Sequence, residues 1–415
     1  MGQAILGKNR SDAVNVLGLD LLDNYNLPNI TNQTSTNYLT LSNKLDTYKN
    51  GQRVLLQIPS DYKNSYITAI TQDYFVTVGE DGISAYSLDG ETWIDMSGLD
   101  TDVRYYGIAY GNGRFVAVGD NGKSAYSIDG ETWIETTGLN TSYTYYSVAY
   151  GDGRFVAVGS SGRSAYSLDG ITWTALSNTT MSYTMNSVRY CNDKFICAAN
   201  SGTIYYLNSG ATSWSTASSN AGSSYGVYDV AYGNNVYVYI ANAGRNGYSS
   251  DGKSWIRNST NLAGNGSAVI YANGIFVAFA AGATSSNENV YNSIDGKTWT
   301  LVKTLSGSTS KGLAYGNGKF VAVGNDGYCV YSTDGITWIE TTGLDTSKSY
   351  QGLALGSLTK NTEFPTTNYI NINNLGNKQI NGTLEANKRF ELIYNGSSFD
   401  VFNIPNELFN LKEVE

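Results

Sequence analysis

The sequence contains no histidine in 415 residues, and only four prolines and three cysteines. Without imidazole there is no Ser-His-Asp or Cys-His nucleophile pair, no histidine metal site and no histidine pH switch. Charge is also scarce, at 15% of residues against about 25% in an ordinary soluble domain. The net charge of −9 argues against a basic grip on nucleic acid or insertion at an anionic membrane surface. No apolar run reaches the roughly 18 residues a membrane helix needs. The start, Met1-Gly2-Gln3-Ala4-Ile5-Leu6, lacks a signal-peptide hydrophobic region, so synthesis in a cytoplasm without a signal peptide is expected. Cys191, Cys197 and Cys329 form neither a disulfide framework nor a CxxC pair and read as small buried hydrophobes.

What is abundant is glycine (46), tyrosine (34) and a phrase built around tryptophan. All seven tryptophans, Trp93, Trp133, Trp173, Trp214, Trp255, Trp299 and Trp338, occupy one position of a repeat, at spacings of 40, 40, 41, 41, 44 and 39. Its clearest copies run Tyr110-Gly111-Asn112-Gly113-Arg114-Phe115 to Trp133 and Tyr150 to Trp173. Each copy reads as four short strands, here A to D. Strand A ends in an apolar-Ala-Tyr step, and a Gly-Asn-Gly or Gly-Asp-Gly turn leads to strand B, Phe-Val-Ala-Val-Gly. Strand C, Ser-Ala-Tyr-Ser, meets a two-residue Asp-Gly link into strand D, the strongest short hairpin signal. That link recurs at Asp89, Asp129, Asp169, Asp251, Asp295 and Asp334. Four antiparallel strands in about 41 residues make a propeller blade, and seven tryptophans make seven blades. Pro28, Pro59, Pro365 and Pro405 all lie outside residues 60–364, as a densely paired sheet requires.

The chain offers eight strand-A-like segments for seven blades. One precedes the first blade (Ile67-Thr68-Ala69-Ile70) and one follows the last (Gly352-Leu353-Ala354-Leu355-Gly356); which of them closes the ring is open at this level. In the flanks, Ser11 to Leu22 reads as a short helix, and Asn37–Leu41, Arg53–Ile58, Tyr369–Ile372 and a hairpin over Phe390–Phe402 read as extended. The expected fold is therefore all-β: a seven-bladed β-propeller (65–357) inserted into a small β-sandwich-like domain formed by the N- and C-terminal segments (36–64 plus 358–415). Residues 1–35 are expected to be an attachment segment.

The flanking segments Tyr48-Lys49-Asn50-Gly51-Gln52-Arg53-Val54, Asn373-Asn374-Leu375-Gly376 and Phe390-Glu391-Leu392-Ile393-Tyr394-Asn395-Gly396-Ser397-Ser398-Phe399 resemble β-domains of tail fibres and receptor-binding proteins from phages and phage-derived bacteriocins. In that family these elements follow closely; here roughly 300 residues separate the first from the others, as insertion of a propeller would produce. The resemblance implies a tail-fibre component of a virion or phage-tail-like particle. Its implied partners are a bacterial cell-surface glycan or surface protein and other tail or baseplate proteins, and its implied state is a homotrimer. The phrase Ser-x-Asp-Gly-x-Thr-Trp is also similar to the Asp-box of sialidases, Ser/Thr-x-Asp-x-Gly-x-Thr-Trp. It lacks the residue between Asp and Gly, and an Asp-box transfers no catalysis.

An enzyme would have to draw on Asp, Glu, Tyr or Cys. Arg114, Arg154 and Lys319 repeat with the blades and so read as fold residues, as do the Asp-Gly carboxylates. Glu80-Asp81-Gly82 and Asp120-Asn121-Gly122 lack the alternating carboxylates of a calcium loop. No catalytic residue, metal or cofactor is expected. Binding is better served, by the D–A and B–C loops that vary between blades. The candidates are Asp102, Arg104, Tyr105, Tyr143, Tyr145, Tyr183, Tyr225 and Tyr228, with Glu288 and Asn289 in a lengthened B–C loop of blade six. Tyrosine supplies flat apolar area plus a hydroxyl at low entropic cost. A competing reading buries Tyr106 and Tyr146 at the head of strand A. The expected function is non-catalytic receptor recognition; a surface-glycan-degrading enzyme and a structural spacer are the alternatives. Either propeller face remains available to a ligand.

Overall fold

The computed structural model describes residues 73–358 with their side chains, except 178–180, 218–221, 223, 283–286 and 308, and the backbone of strands beyond that range. It divides into two compact units, Gln72–Leu358 and the flanks Met1–Thr71 with Thr359–Glu415.

The larger unit is a seven-bladed propeller of four-stranded antiparallel sheets. Blades two to seven each take A, B, C and D from one repeat; blade two, for example, is Tyr105–Gly111, Arg114–Gly119, Ser124–Ser127 and Ile134–Thr136. Blade one is composite. Its strand A is Tyr350–Lys360, from the far end of the array, and its B, C and D are Ile70–Gly79, Ser84–Ser87 and Ile94–Asp95. The C-terminal strand-A copy therefore closes the ring, and Ile70 begins strand B; residues 67–69 lie outside the described residues. Thr77 Oγ1 donates to Gly352 O across this seam at 2.8 Å, and Ser357 donates to Asp73 where the two chain ends meet.

Strand B is buried on both faces. Phe75, Phe115, Phe155, Phe195, Phe276 and Phe320 are fully buried, with Tyr237 in the same place in blade five. Each contributes roughly 1.5–3 kcal/mol by leaving water. The A–B turn brings a tyrosine onto that ring, as in Tyr150 on Phe155 at 4.7 Å. The three cysteines are buried in strands, and burial pushes Cys191 up to about 12 and Cys329 up to about 11. They are packing residues, as the sequence reading expects.

The Asp-Gly links hold the outer strands. Asp169 Oδ1 accepts from the N–H groups of Ile171 and Thr172 (both 2.8 Å) and from Ser167 Oγ (2.9 Å). Ser167 Oγ in turn accepts from Gly170 N at 2.8 Å. The same set recurs at Asp251 and Asp334. Blade four lacks the aspartate, and its neighbour supplies one: Asp152, in the A–B turn of blade three, accepts from Ser209 Oγ (2.6 Å) and Gly210 N (2.8 Å). Arg154 donates to Ala211 O at 2.8 Å, and Lys319 does the same to Asp89 O at 3.0 Å. In blades three and seven the cation of the A–B turn thus clips the blade to the C–D turn of the next.

The flanks form one sheet of nine strands. Arg389–Tyr394 and Phe399–Ile404 pair as the expected hairpin, and Arg389–Tyr394 lies antiparallel to Arg53–Gln57 from the other end of the chain. Thr36–Ser42 runs parallel to Tyr369–Ile372. The short helix expected over Ser11 to Leu22 is corrected in part: Val16–Leu17 is a strand paired with Gln3–Ala4 and at Val16 with Leu56. Sheet partners override a weak local helix signal there; the rest of that segment lies outside the described residues.

Hydrogen bonds from Thr172, Ser254 and Thr337 N–H hold Asp169, Asp251 and Asp334 at about 2, below the ordinary 3.8. A depressed carboxylate contributes stability that is complete above pH 4 and is lost as the pH falls toward 2. Urea midpoints are expected to be level from pH 7 to about 5 and to drop below pH 4. Asp169→Ala should cost about 1–2 kcal/mol at pH 7 and reduce the acid drop. An acid drop of unchanged size in that variant would remove these turns as its cause.

Candidate recognition face and channel mouth

Strand A is the innermost strand of every blade, and its first residues sit where the D–A loops arrive. Pairing between A and B slips there. Tyr105 pairs with Gly119 and Gly107 with Val118, so Tyr106 has no cross-strand partner. The same bulge leaves out Tyr146, Asn186, Tyr228, Ser267 and Lys311 in blades three to seven. A bulge re-aims the extra side chain, and all six line a cavity of about 160 Å³ at the channel mouth, with Gln351 from blade one.

The floor of this mouth is asymmetric. At the fifth position of strand A, blades one, two, three, five and seven have Ala354, Ala109, Ala149, Ala231 and Ala314, but blade four has Arg189. At the third position Gly or Ser is usual, and blade five has Asp229. These two exceptions meet. Arg189 Nε donates to Asp229 Oδ1 at 3.1 Å and Nη2 to Oδ2 at 2.9 Å. Asp229 also accepts from Ser187 Oγ (2.6 Å) and from Val269 N of the next blade (3.1 Å). Asp229 is buried, whereas Arg189 remains open to the lumen with its side chain 42% exposed. The Asp229 charge raises the Arg189 pKa, so the guanidinium stays charged. Below Arg189 the channel is lined by alanines, Ile270, Leu313 and Leu355, with Tyr150, Tyr190 and Tyr315.

Around the mouth, arginines brace the loop tyrosines. Arg163 lies over Tyr143 at 4.5 Å and donates to its hydroxyl at 3.0 Å; Arg245 lies over Tyr225 at 3.3 Å. Arg104 lies over Tyr106 at 5.8 Å and pairs with Glu80 at 2.8 Å, while Asp120 Oδ1 accepts from Thr144 Oγ1 at 3.0 Å. Glu80 and Asp120 thus each tie their turn to a neighbouring loop. Tyr183 and Tyr228 are the most open aromatics on this face, at 53% and 37% exposure.

Of the residues proposed from sequence, Asp102, Arg104, Tyr143, Tyr183, Tyr225 and Tyr228 lie on this face. Four do not. Tyr105 and Tyr145 are buried, with burial pushing Tyr105 up to about 12; strand alternation, offset by the bulge, turns the first tyrosine of each pair into the blade and the second into the lumen. Glu288 is a strand residue, fully buried, accepting from Ser310 Oγ (2.6 Å), Ser310 N (3.0 Å) and Ser267 Oγ (3.1 Å). The extra residues of blade six lengthen strands B and C instead of the loop, so Asn289 also sits in strand C, its amide bonded to Ala263 O (2.9 Å) and Thr304 Oγ1 (2.8 Å). Sequence reasoning missed Tyr106, Tyr146, Asn186, Ser267, Lys311 and Gln351, and the Arg189–Asp229 pair. The signal was available: aligning the seven A strands exposes Arg189 and Asp229 as the charged breaks in the repeat at those positions. Among the described residues no group of three or more Cys, Asp or Glu is arranged to hold a metal ion.

Solved structures share this architecture. The periplasmic gluconolactonase PpgL of Pseudomonas aeruginosa superposes with a TM-score of 0.54 at 8% identity, over 68% of this chain and 99% of that one. The WD40 propeller domain of Doa1 gives 0.48 at 14% over 67% and 89%, and YCF48 from Cyanidioschyzon merolae 0.45 at 14% over 74% and 97%. The likeness is one of fold. No family model and no curated protein matches the sequence.

Asp229→Ala leaves the Arg189 guanidinium without its carboxylate and removes acceptors for Ser187 and Val269. A loss of about 3 kcal/mol in urea unfolding is expected, with less than half of that for the double variant Asp229→Ala/Arg189→Ala. Equal losses in the two proteins would show that the pair is not coupled.

Proposed function

We propose that the protein is a receptor-binding component of a phage or phage-tail-like particle, recognising a bacterial cell-surface glycan or protein without catalysis. The observation that carries this reading is the division of labour between repeated and unrepeated residues. Repeated side chains are engaged in turns, clips and cores. The face of D–A and B–C loops carries what does not repeat: exposed or half-exposed tyrosines on blades two to five, braced by arginines, around a polar channel mouth. Both ends of the propeller, at Gln72 and Leu358, leave from the opposite face, because strand A of blade one runs toward the A–B turns and strand B starts there.

Flat aromatic rings with hydroxyls and amides between them suit many weak contacts, and several copies on one particle multiply such contacts through avidity. The likeness of the flanking segments to tail-fibre β-domains supports the particle setting and a homotrimer. Against an enzyme stand the uses already found for reactive groups: the thiols are buried and protonated, and Glu288 is held by two serines.

Labelled full-length protein should adsorb to host cells while the cells' surface polymer keeps its size. Tyr183→Ala/Tyr228→Ala should weaken adsorption by about tenfold or more, roughly 1.4 kcal/mol, with a melting temperature like that of the parent. Release of oligosaccharide from the cells would overturn the non-catalytic reading. Undiminished adsorption by the double variant would move recognition off this face.

A further inference from the structure

The channel mouth has a chemistry of its own. The charged side chains lining it are Arg189, Asp229 and Lys311. The first two neutralise each other at 2.9 Å. Lys311 is exposed and makes no ion pair or hydrogen bond with its side chain among the described residues. Glu288, the carboxylate whose pKa feels Lys311, is buried against Ser310 and Ser267. A cation with no ion pair or hydrogen bond of its own among the described residues therefore faces the lumen in a protein whose net charge is −9.

Around the ring from Lys311 of blade seven come Gln351, then Tyr106 and Tyr146, in an edge contact at 5.1 Å, then Asn186, Tyr228 and Ser267. Asn186 donates to Val227 O at 2.7 Å, which fixes its orientation, and Gln351 has no side-chain partner among the described residues. The cavity, about 160 Å³, falls below the roughly 300–1,000 Å³ of pockets for drug-sized ligands, so it takes one small ring rather than a length of chain. An apolar peptide side chain would strand the polar lining. A pyranose matches it: one C–H face for an aromatic ring, hydroxyls for the amides, and an acidic substituent for the ammonium group.

We propose that the channel mouth binds one residue of an anionic glycan, a sugar bearing a carboxylate or phosphate, with the anion at Lys311 and the ring against the tyrosines. This rests on the receptor-binding reading and names the chemistry of its ligand. The Arg189–Asp229 pair acts as a rigid polar floor, its carboxylate fixed by Ser187 and Val269 N.

Full-length protein would be titrated with D-glucose, D-glucuronate and D-glucose 6-phosphate, followed by calorimetry and saturation-transfer NMR. At least one charged sugar should bind about tenfold or more tightly than glucose, more weakly as salt is added; which of the two does so separates a carboxylate from a phosphate ligand. Lys311→Met should abolish that preference, Lys311→Arg should keep it, and both should melt with the parent. Glucose binding as well as the charged sugars, no binding of any of the three, or a preference that survives Lys311→Met would each overturn the proposal. Cell adsorption is measured in parallel. Adsorption that persists when no charged sugar binds sinks this site and leaves the receptor-binding reading standing. Charged-sugar binding by a protein that adsorbs to no cells supports the site and sinks that reading.

Discussion

Antiparallel pairing between Tyr350–Lys360 and Ile70–Gly79 joins the two ends of a seven-repeat array into one blade. An open stack of blades would leave two sheet faces bare, and each blade buries its own faces only against neighbours. Closure removes both. It also sets the direction in which the chain arrives and departs: strand A and strand B of blade one meet the rest of the chain on the side of the A–B turns. The varied loops are therefore left on the other side, and the channel they surround has a defined mouth.

The repeated residues keep the ring rigid by local means. Each Asp-Gly turn satisfies its own backbone N–H groups, and the A–B turns of blades three, five and seven reach forward to the next blade. Blade four tests that logic, because the missing aspartate is replaced in space, not in sequence, by Asp152 of the preceding blade. A scaffold held this way tolerates substitution where the pattern breaks. The bulge at the head of strand A is one such place. It frees one side chain in each of blades two to seven from strand pairing, so six residues of four kinds converge with Gln351 on one small cavity, while the tyrosines immediately before Tyr106 and Tyr146 stay in the core.

Much of this was legible in the residues. Trp spacing yields the blade count, Asp-Gly yields the outer hairpins, and the proline positions bound the array. The site was only partly legible. The breaks in the repeat placed Tyr143, Tyr183 and Tyr225 on loops, where Tyr183 is exposed and the other two are half-buried, whereas Tyr228 belongs to strand A and is exposed at its bulge. Tyr105 and Tyr145 were misassigned because adjacent tyrosines look alike until register decides which faces the lumen. Glu288 and Asn289 were misassigned because an insertion in sequence reads as a longer loop, whereas here it extends two paired strands.

Sequence alone determined the architecture, since periodic turns and apolar alternation are local properties that each repeat states again. Only the tertiary structure decided which strand-A copy closes the ring, which tyrosine of each pair meets water, and that Arg189 and Asp229, 40 residues apart, form one ion pair. These depend on strand register and on the meeting of neighbouring blades around the channel. Neither is written in any single repeat.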